Sequence, residues 1–450
     1  MYTYPCYQLM KGFNKKSPLF LFLGDAIMLV VSLWLSLLLR FWSLPEKDVF
    51  LSHLEPFLYL FAVWLLVYFI MGLYDKSILT FSKKLSSEVF NAQLVNTFVA
   101  IAFFYFIPKF TITPKTILFL NLFVSFVLIL FWRVYFLKYI GVRKKERTVF
   151  VGGGEELEEL KKVLSEDDRS EVETVDCFDT QKMDKDTLLK AITESIKFNN
   201  VTSVAIDFDD EKVVPILSSL YGLIFKGIKF IDIQNLYEDT LEKVPLSLIA
   251  HNWFLENVSI SSGSFYGFLR RVFDVVFSFI VGCFCLIILP LVAIAIKMED
   301  GGPIFFTNKM VGQRNREIKI FKIRSMSTTE KEKITRVGGF IRKTRIDELP
   351  QFFNVLIGDL SFIGPRPEYP KLASMYESEI PFYNVRHLVK PGLSGWAQIY
   401  QNNPPKFGLN VEDTKTKLSY DLYYIKNRSL ILDLKIALRT IKTLLSRTGK

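Results

Sequence analysis

Residues 275–296 read VVFSFIVGCFCLIILPLVAIAI, an apolar run long enough to cross the ~30 Å hydrocarbon core of a bilayer as a helix. Arginines stand before the run and a lysine follows it. Pro290 removes a helical N–H and clashes with the preceding turn, so we predict a break in the helix there. A straight crossing would place the basic chain that follows on the outer side of the membrane, against the positive-inside rule. The run therefore predicts a re-entrant helix over about 268–296, which enters and leaves on the same face.

The charge of the chain is unevenly distributed. Its 450 residues are 50% hydrophobic with a net charge of +10, yet residues 268–450 hold 29 Lys and Arg against 16 Asp and Glu. So much apolar surface excludes a disordered chain, and four Cys with three His exclude a disulfide scaffold. A basic part beside apolar segments indicates an anionic partner: lipid headgroups, phosphates or nucleotides. No nucleic acid partner is expected, because the basic residues accompany membrane segments.

Four further apolar runs predict a four-helix transmembrane domain over residues 1–142. Each is about 20 residues long, enough for one helical crossing. Flanking lysines and arginines place both ends of this bundle in the cytoplasm. Asp25 and Arg40 lie in or at the end of the first run, and we interpret them as a polar pair inside the bundle, with a substrate contact as the alternative. The runs cover residues 18–39, 56–74, 89–108 and 114–137.

Residues 143–262 show strands alternating with helical patterns, which predicts a small Rossmann-like α/β domain with a parallel sheet. Gly152–Gly154 follows the first strand, but the third glycine of a dinucleotide fingerprint would fall on Leu157. The domain is thus interpreted as a degenerate, structural or regulatory module, with a bound nucleotide as the alternative. Asp207 and Asp209 form either an exposed acidic loop or a metal clasp. The predicted strands are Thr148–Val151, Val201–Phe208 and Ile228–Ile233.

Two adjacent carboxylates, Asp347 and Glu348, follow three cations in the stretch Arg342–Gln351. Neighbouring side chains on a helix point about 100° apart, so the two carboxylates can serve different purposes. One can act as a nucleophile while the other binds a metal ion. The flanking cations favour the ionised carboxylate, which nucleophilic attack requires.

Other cations nearby are candidates for phosphate binding. Lys322 and Arg324 lie on one side of an extended segment. Arg366 stands in the stiff turn Gly364–Glu368, which suits a guanidinium that binds phosphate. Pro391–Gln398 is a second stiff loop of small residues.

Together and in this order, these motifs resemble the bacterial polyprenyl-phosphate sugar-1-phosphate transferases, the monotopic phosphoglycosyl transferases that initiate polysaccharide synthesis. The preceding bundle and α/β domain resemble the long-form branch of this family. The resemblance implies a mixed, mainly α-helical transferase domain over 263–450 that contains the re-entrant helix. Leu289 departs from the family, which often has Ser before the proline. The matching stretches are Arg270–Asp274, the apolar run, Gly302–Phe306, Lys322–Met326, Arg345–Gln351, Gly364–Glu368, Pro391–Gln398 and Tyr420–Ile425.

The resemblance implies a two-step exchange. The carboxylate of Asp347 attacks the β-phosphate of a UDP-sugar and UMP leaves; polyprenyl phosphate then attacks the aspartyl-phosphosugar and takes the phosphosugar. Glu348 matches the position that holds Mg²⁺, and Arg342 and Arg366 match arginines that offset the charge of the phosphates. We expect glucose or galactose as the sugar, and exopolysaccharide, capsule or O-antigen synthesis as the process.

The resemblance also implies how the chain meets the lipid bilayer. Arg270, Arg271, Asp274 and Pro290 match the anchor and the break of the re-entrant helix. Because UDP-sugars are cytosolic, we expect a multi-pass protein of the bacterial inner membrane whose transferase domain faces the cytoplasm. Oligomeric state stays open, with a homodimer formed partly through the N-terminal modules as a further expectation.

Two alternatives from other functional classes stay open. A membrane-anchored nucleotide-sugar dehydratase or epimerase can carry a similar bundle, but it needs an intact glycine fingerprint and a catalytic Tyr-x-x-x-Lys. The matches to that pattern, Tyr7/Lys11 and Tyr105/Lys109, lie before and within the predicted bundle. A non-enzymatic scaffold of a polysaccharide assembly complex would leave the phosphate-binding motifs without a role. Release of UMP distinguishes the three.

Overall fold

The computed structural model describes residues 5–74, 82–106, 115–133, 145–166, 172–258, 264–328, 333–401 and 410–445. The chain packs into two compact units. The first comprises Met1–Ile206 with Pro215–Ile231, and the second comprises Asp207–Val214 with Asp232–Lys450.

An apolar helical bundle forms the N-terminal part of the first unit. Its helices are α1 (Pro5–Phe41), α2 (Lys47–Ile70), α3 (Ser82–Phe106) and α4 (Lys115–Phe131). Each contains part of one predicted apolar run, and α1, α2 and α3 are long and apolar enough to cross a membrane. Leu33, Leu60, Trp64 and Val89 are fully buried between the helices, whereas Phe98 is exposed. An apolar outer surface suits a lipid environment, since lipid tails are as apolar as the side chains that face them.

A buried ion pair connects the middle of α1 to the segments that follow α2 and α4. Arg133, just after α4, pairs with Asp25 of α1, and both side chains are completely buried. Tyr74 donates a 2.8 Å hydrogen bond to Asp25, and Arg133 donates one of 2.7 Å to the carbonyl of Leu73. The interpretation of Asp25 and Arg40 as a pair is therefore wrong, because Arg40 is exposed. A charge inside such a bundle needs a partner of opposite sign.

The rest of the first unit forms a small α/β fold with one four-stranded sheet. Its elements are β1 (Glu146–Val151), α5 (Glu155–Glu166), β2 (Val172–Phe178), α6 (Lys185–Phe198), β3 (Ser203–Ile206) and β4 (Lys229–Asp232), with short helical turns over 214–226. The strand order is β2–β1–β3–β4, and β1 runs parallel to β2 and β3. The three predicted strands are confirmed as β1, β3 and β4. Strand β2 is missed, because it lies at the sheet edge and its side chains are only partly buried.

The second unit is mainly helical. Its elements are α7 (Ile233–Leu241), α8 (His251–Asn257), α9 (Ser264–Asp300), β5 (Phe305–Val311), β6 (Glu317–Ile323), α10 (Arg336–Lys343), α11 (Gln351–Ile357), β7 (Ser361–Ile363), α12 (Pro370–Glu379), β8 (Gly392–Ser394), α13 (Trp396–Tyr400), α14 (Val411–Asn427) and α15 (Leu430–Leu445). Strands β5 and β6 pair antiparallel, and β7 and β8 pair in parallel. Trp396, Leu418 and Leu422 lie in its main core. Residues 232–258 also pack here, whereas the sequence analysis assigns them to the α/β domain. The predicted domain boundaries stay predictions.

Helix α9 continues without interruption from Ser264 to Asp300 with Pro290 inside it, so the predicted break in the helix is corrected. Pro290 is exposed, and its ring therefore takes no space in the packed face. One face of α9 is buried along its length: Asp274, Ser278, Gly282, Cys285, Val292 and Ile296. The opposite face exposes large apolar side chains, among them Phe273, Ile280, Phe284, Ile287, Leu291 and Ile294.

Candidate active site

The two predicted carboxylates lie on a tight turn between α10 and α11. The side chain of Thr335 caps the start of α10 by accepting a hydrogen bond from the backbone. After α10 ends, Arg345 adopts the left-handed conformation with a φ of +58°. A single 3₁₀ turn, Ile346–Glu348, follows directly. Asp347 and Glu348 are therefore held by a backbone turn rather than by the helix that the sequence analysis assumed.

Glu348 lies among three cations. Its Oε1 is 3.0 Å from an Arg366 nitrogen, 3.3 Å from Arg345 and 3.6 Å from Lys322 on β6. Burial raises the pKa of Glu348, but the nearby charges of Arg366, Lys322 and Arg345 outweigh burial and lower it to about 2. Glu348 is thus ionised at any physiological pH, and it is the point where three separate segments meet.

Asp347 has a different environment. Its Oδ1 is buried and has no hydrogen-bond partner within the described part of the chain. Burial and the neighbouring charge of Glu348 raise the pKa of Asp347, while Lys322, Arg345 and Arg342 act in the opposite direction. The cations thus lower the pKa of both carboxylates, as expected, but at Asp347 burial and Glu348 outweigh them and the net shift is upward. The unpartnered oxygen is free to meet an electrophile or a cation.

The other two predicted phosphate-binding arginines lie in different surroundings. Arg342 donates a 2.7 Å hydrogen bond from Nε to Ser325 Oγ, close enough to Asp347 to act on its pKa. Arg324 is not brought to Glu348. It pairs with Asp300 at the end of α9 and donates to a backbone carbonyl. Arg324 thereby fixes the end of α9, and its binding of phosphate stays a prediction.

A buried network of charged side chains holds the backbone of Arg366. Arg386 donates a 2.8 Å hydrogen bond to the carbonyl of Arg366 and pairs with Asp421 at 2.8 Å. Lys417 pairs with Glu368 at 2.7 Å. The sequence analysis misses Arg386 and Lys417, which lie outside its motifs. Glu368 and Asp421 stand inside quoted motifs and are the signal that could have revealed the network.

The two stiff loops of the sequence analysis pack against each other. Gly364 N donates a 2.8 Å hydrogen bond to the carbonyl of Ser394, and Gly392 N donates one of 3.0 Å to the carbonyl of Pro365. An added Cβ at Gly392 would lie 2.2 Å from Gly364 N, so only glycine permits this approach. The pairing of these loops sets the position of Arg366, the next residue.

The predicted anchor residues of α9 bind other segments of the second unit. Arg270 donates a 3.0 Å hydrogen bond to Ser361 Oγ, which in turn donates one of 3.0 Å to Asp274. Arg271 donates a 2.6 Å hydrogen bond to the carbonyl of Val355 near the end of α11. These contacts fix the start of α9 to α11 and β7 within the same unit. Their role as membrane anchors stays a prediction.

Comparison with known proteins shows which family the chain belongs to. Residues 265–447 match the bacterial sugar transferase family. The exopolysaccharide production protein PSS of Rhizobium leguminosarum bv. phaseoli is 34% identical over 194 residues, which are 40% of this chain and 96% of that protein. The chain belongs to the bacterial sugar transferase family. The matched part contains both carboxylates and the cations around them.

Two other relatives of this sugar transferase have more specific names. The UDP-N-acetylgalactosamine-undecaprenyl-phosphate N-acetylgalactosaminephosphotransferase of Aeromonas hydrophila is 42% identical over 202 residues, 42% of this chain and 47% of that protein. The UDP-glucose:undecaprenyl-phosphate glucose-1-phosphate transferase of Escherichia coli (strain K12) is 36% identical over 184 residues, 38% of this chain and 39% of that protein. The match thus spans less than half the length of these two proteins.

The residues of the candidate site fit the Mg²⁺ that the family resemblance implies. Mg²⁺ binds through one or two carboxylates and takes its other ligands from water and substrate phosphates. Glu348 is ionised and Asp347 has an unpartnered buried oxygen. Among the residues that the structure describes, no cluster of three or more His, Cys, Asp or Glu could hold a metal alone. Substrate phosphates would therefore complete the site, and Glu348 stays the predicted ligand.

Proposed function

We propose that this chain transfers a sugar-1-phosphate from a UDP-sugar to polyprenyl phosphate, with a covalent intermediate on Asp347 and release of UMP. The observation that carries the proposal is the half-buried carboxylate pair, with Lys322, Arg345 and Arg366 around Glu348. Attack on the diphosphate of a UDP-sugar needs a free carboxylate oxygen beside positive charge that offsets the phosphate oxygens. The names of the Aeromonas and Escherichia relatives support the same substrate classes.

The first step forms the covalent intermediate. An Asp347 oxygen attacks the phosphorus that carries the sugar, and the bond from that phosphorus to the bridging oxygen breaks. The bridging oxygen leaves on UMP with the electron pair. Lys322, Arg345 and Arg366 would shift part of their attraction from Glu348 to the diphosphate, which offsets the charge that develops. Mg²⁺, when bound at Glu348, would add further positive charge at the phosphates.

The second step regenerates the enzyme. A phosphate oxygen of the lipid acceptor attacks the same phosphorus, and the bond to Asp347 breaks. The carboxylate is recovered and the lipid carries a diphosphate-linked sugar. Because one carboxylate accepts and then releases the phosphosugar, no second nucleophile is required.

An apolar groove near the carboxylates supports a lipid acceptor. It has a volume of about 430 Å³ and lies between α9 and α10. Val292, Phe340 and Ile341 are among the residues that line it. Val292 and Ile341 also belong to the buried cluster against which Ile346 packs, directly before Asp347. A prenyl chain in this groove would lie close to the nucleophile.

UMP release from the purified full-length protein in lipid nanodiscs tests the proposed function. We expect continuous release only when a UDP-sugar and polyprenyl phosphate are both present, and at most stoichiometric release without the lipid. UDP-glucose and UDP-galactose are the expected donors, and UDP-N-acetylgalactosamine is included because of the Aeromonas relative. A dehydratase or epimerase would change the sugar and leave the nucleotide diphosphate intact. Release of UDP, or no nucleotide product with any donor, contradicts the proposal.

Helix α9 supports a transferase part that stays on one side of the membrane. Asp274 near its start contacts Ser361, and Asp300 at its end contacts Arg324, within the same compact unit. A straight crossing would carry this unit and its charges through the hydrocarbon beside the helix, which is costly. We therefore infer that both ends of α9 lie on the cytoplasmic face of the inner membrane, with the exposed apolar face of the helix in lipid.

Cysteine labelling in intact spheroplasts checks this topology. In a background without native cysteines, Ser43→Cys in the α1–α2 loop should react with a membrane-impermeant thiol reagent. Ser378→Cys on α12 should not react until the membrane is lysed. Both serines are exposed, so burial does not explain a difference between them. Labelling of Ser378→Cys from outside in an active protein would mean that α9 crosses the membrane.

A further inference from the structure

A segment that precedes the family match packs onto the transferase part of the chain. We call residues 232–258 the strap; it contains α7 and α8 and lies in the second unit. Glu238 pairs with Lys426 at 2.8 Å. Val244 N donates a 3.1 Å hydrogen bond to the carbonyl of Ser419. These contacts fix the strap along α14.

The strap also reaches the second stiff loop, Pro391–Gln398. The indole Nε1 of Trp396 donates a 2.9 Å hydrogen bond to the carbonyl of Glu242. Lys435 of α15 pairs with the carboxylate of Glu242 at 3.2 Å and lies 4.8 Å from the centroid of the Trp396 ring. Trp396 is only 1% exposed, so its orientation depends on these neighbours.

From Trp396 the contacts continue to the carboxylate pair. Gly395, the preceding residue, packs so tightly that an added Cβ would lie 2.5 Å from the carbonyl oxygen of Gly364. Two residues after Gly364, Arg366 donates a 3.0 Å hydrogen bond to Glu348. Close packing of this kind transmits small shifts, because there is no free space to absorb them. A displacement of Trp396 would therefore move the loop that holds Arg366.

The other end of the strap is tied to the loop that follows β3. Gln234 is 5% exposed, and its amide donates hydrogen bonds of 3.1 Å to Asp207 and 2.9 Å to the carbonyl of Leu248. The strap also follows β4 directly along the chain. The segment that leaves the sheet is thus the segment that contacts Trp396.

We propose that the strap is a positioning element of the transferase. Its Glu242 carbonyl fixes Trp396, and Trp396 in turn keeps Arg366 beside Glu348. The activity readout of this proposal rests on the proposed function. Nothing in the matched range 265–447 supplies this contact, since the strap lies before it.

Trp396→Phe in the full-length protein tests the strap, because it removes the indole N–H and keeps most of the buried ring. We expect kcat/KM for UMP release to fall about five- to tenfold. In an Arg366→Lys background, adding Trp396→Phe should lower kcat/KM by less than about twofold, because the residue through which Trp396 acts is already altered. Trp64→Phe in the bundle is the matched control. Its indole is fully buried and makes no hydrogen bond to the described residues, so activity should not change.

Hydrogen exchange gives a readout that needs no activity. The amides of Gly364 and Gly392 donate across the two loops, so Trp396→Phe should speed their exchange by about tenfold, and Trp64→Phe should not. Unchanged exchange at both amides overturns the strap proposal, as does an equal loss of activity in both Arg366 backgrounds. A wild-type protein that releases no UMP contradicts the proposed function instead, and the exchange experiment then still decides on the strap.

Discussion

Asp347→Asn is expected to lower UMP release by roughly 10³-fold or more while the protein keeps its fold. The amide has nearly the shape of the carboxylate but is a far weaker nucleophile. Asp347 Oδ1 makes no hydrogen bond within the described residues, so the exchange breaks no structural contact of that atom. Asp359→Asn, in the same unit but outside the cation cluster around Glu348, is the control and should keep wild-type turnover.

The direction in which Asp347→Asn changes the stability of the protein follows from the pKa of Asp347. Burial and Glu348 raise the pKa of Asp347 in the folded protein. A carboxyl whose pKa is raised on folding loses stability as pH rises from its unfolded towards its folded pKa, because folding then opposes ionisation. Near neutral pH the neutral amide should therefore leave the melting temperature unchanged or raise it. A large drop in melting temperature would mean that Asp347 has a structural role.

Mass spectrometry locates the intermediate directly. Wild-type protein mixed with UDP-sugar and no lipid acceptor should gain the mass of one phosphosugar on Asp347, and Asp347→Asn should gain none. An adduct on another residue, or full activity of the Asn variant, would refute the assignment of the nucleophile.

The part of the site that follows from local sequence could be predicted. Asp347 and Glu348 are adjacent in sequence, so their charges lie close together in any backbone conformation. Cations a few residues away are therefore expected to interact with them. Arg345 is one of the flanking cations, but its direct contact with Glu348 depends on a left-handed turn of the backbone. A residue other than glycine seldom adopts that turn, and the local pattern does not predict it.

Contacts made between distant segments could not be predicted in the same way. Arg324 and Lys322 are two residues apart, yet Lys322 lies near Glu348 and Arg324 pairs with Asp300. Arg386 contacts the carbonyl of Arg366, and the strap contacts Trp396 through the carbonyl of Glu242. Every residue has a backbone carbonyl, so residue types alone do not predict these two contacts. Helix α9 shows a different case: its apolar run is evident in the sequence, but the proline in it does not predict the observed structure, because the helix continues through Pro290.

Glu348→Gln is expected to have the second largest effect. Three cations lie within 3.6 Å of its Oε1, and the neutral amide leaves Asp347 as a remaining negative charge that acts on Arg366, together with Glu368. Asp347 would then pair with the cations rather than attack the phosphate, and the predicted Mg²⁺ site would lose its ionised ligand. We expect UMP release to fall about 10²-fold or more, with half-saturation by Mg²⁺ shifted at least about tenfold higher.

Glu412→Gln is the matched control for this change, because it removes the same charge from an exposed pair with Lys415 at 2.7 Å. Exposed pairs contribute little, so rate and Mg²⁺ titration should both stay at wild-type values. Glu348→Gln can also change the rate of UMP release without changing the Mg²⁺ titration, and that result distinguishes two roles of Glu348. A lower rate with an unchanged Mg²⁺ titration would mean that Glu348 orders Lys322 and Arg366 without binding the metal. Wild-type behaviour in both measurements would remove Glu348 from the chemistry and leave it as a structural partner of the three cations.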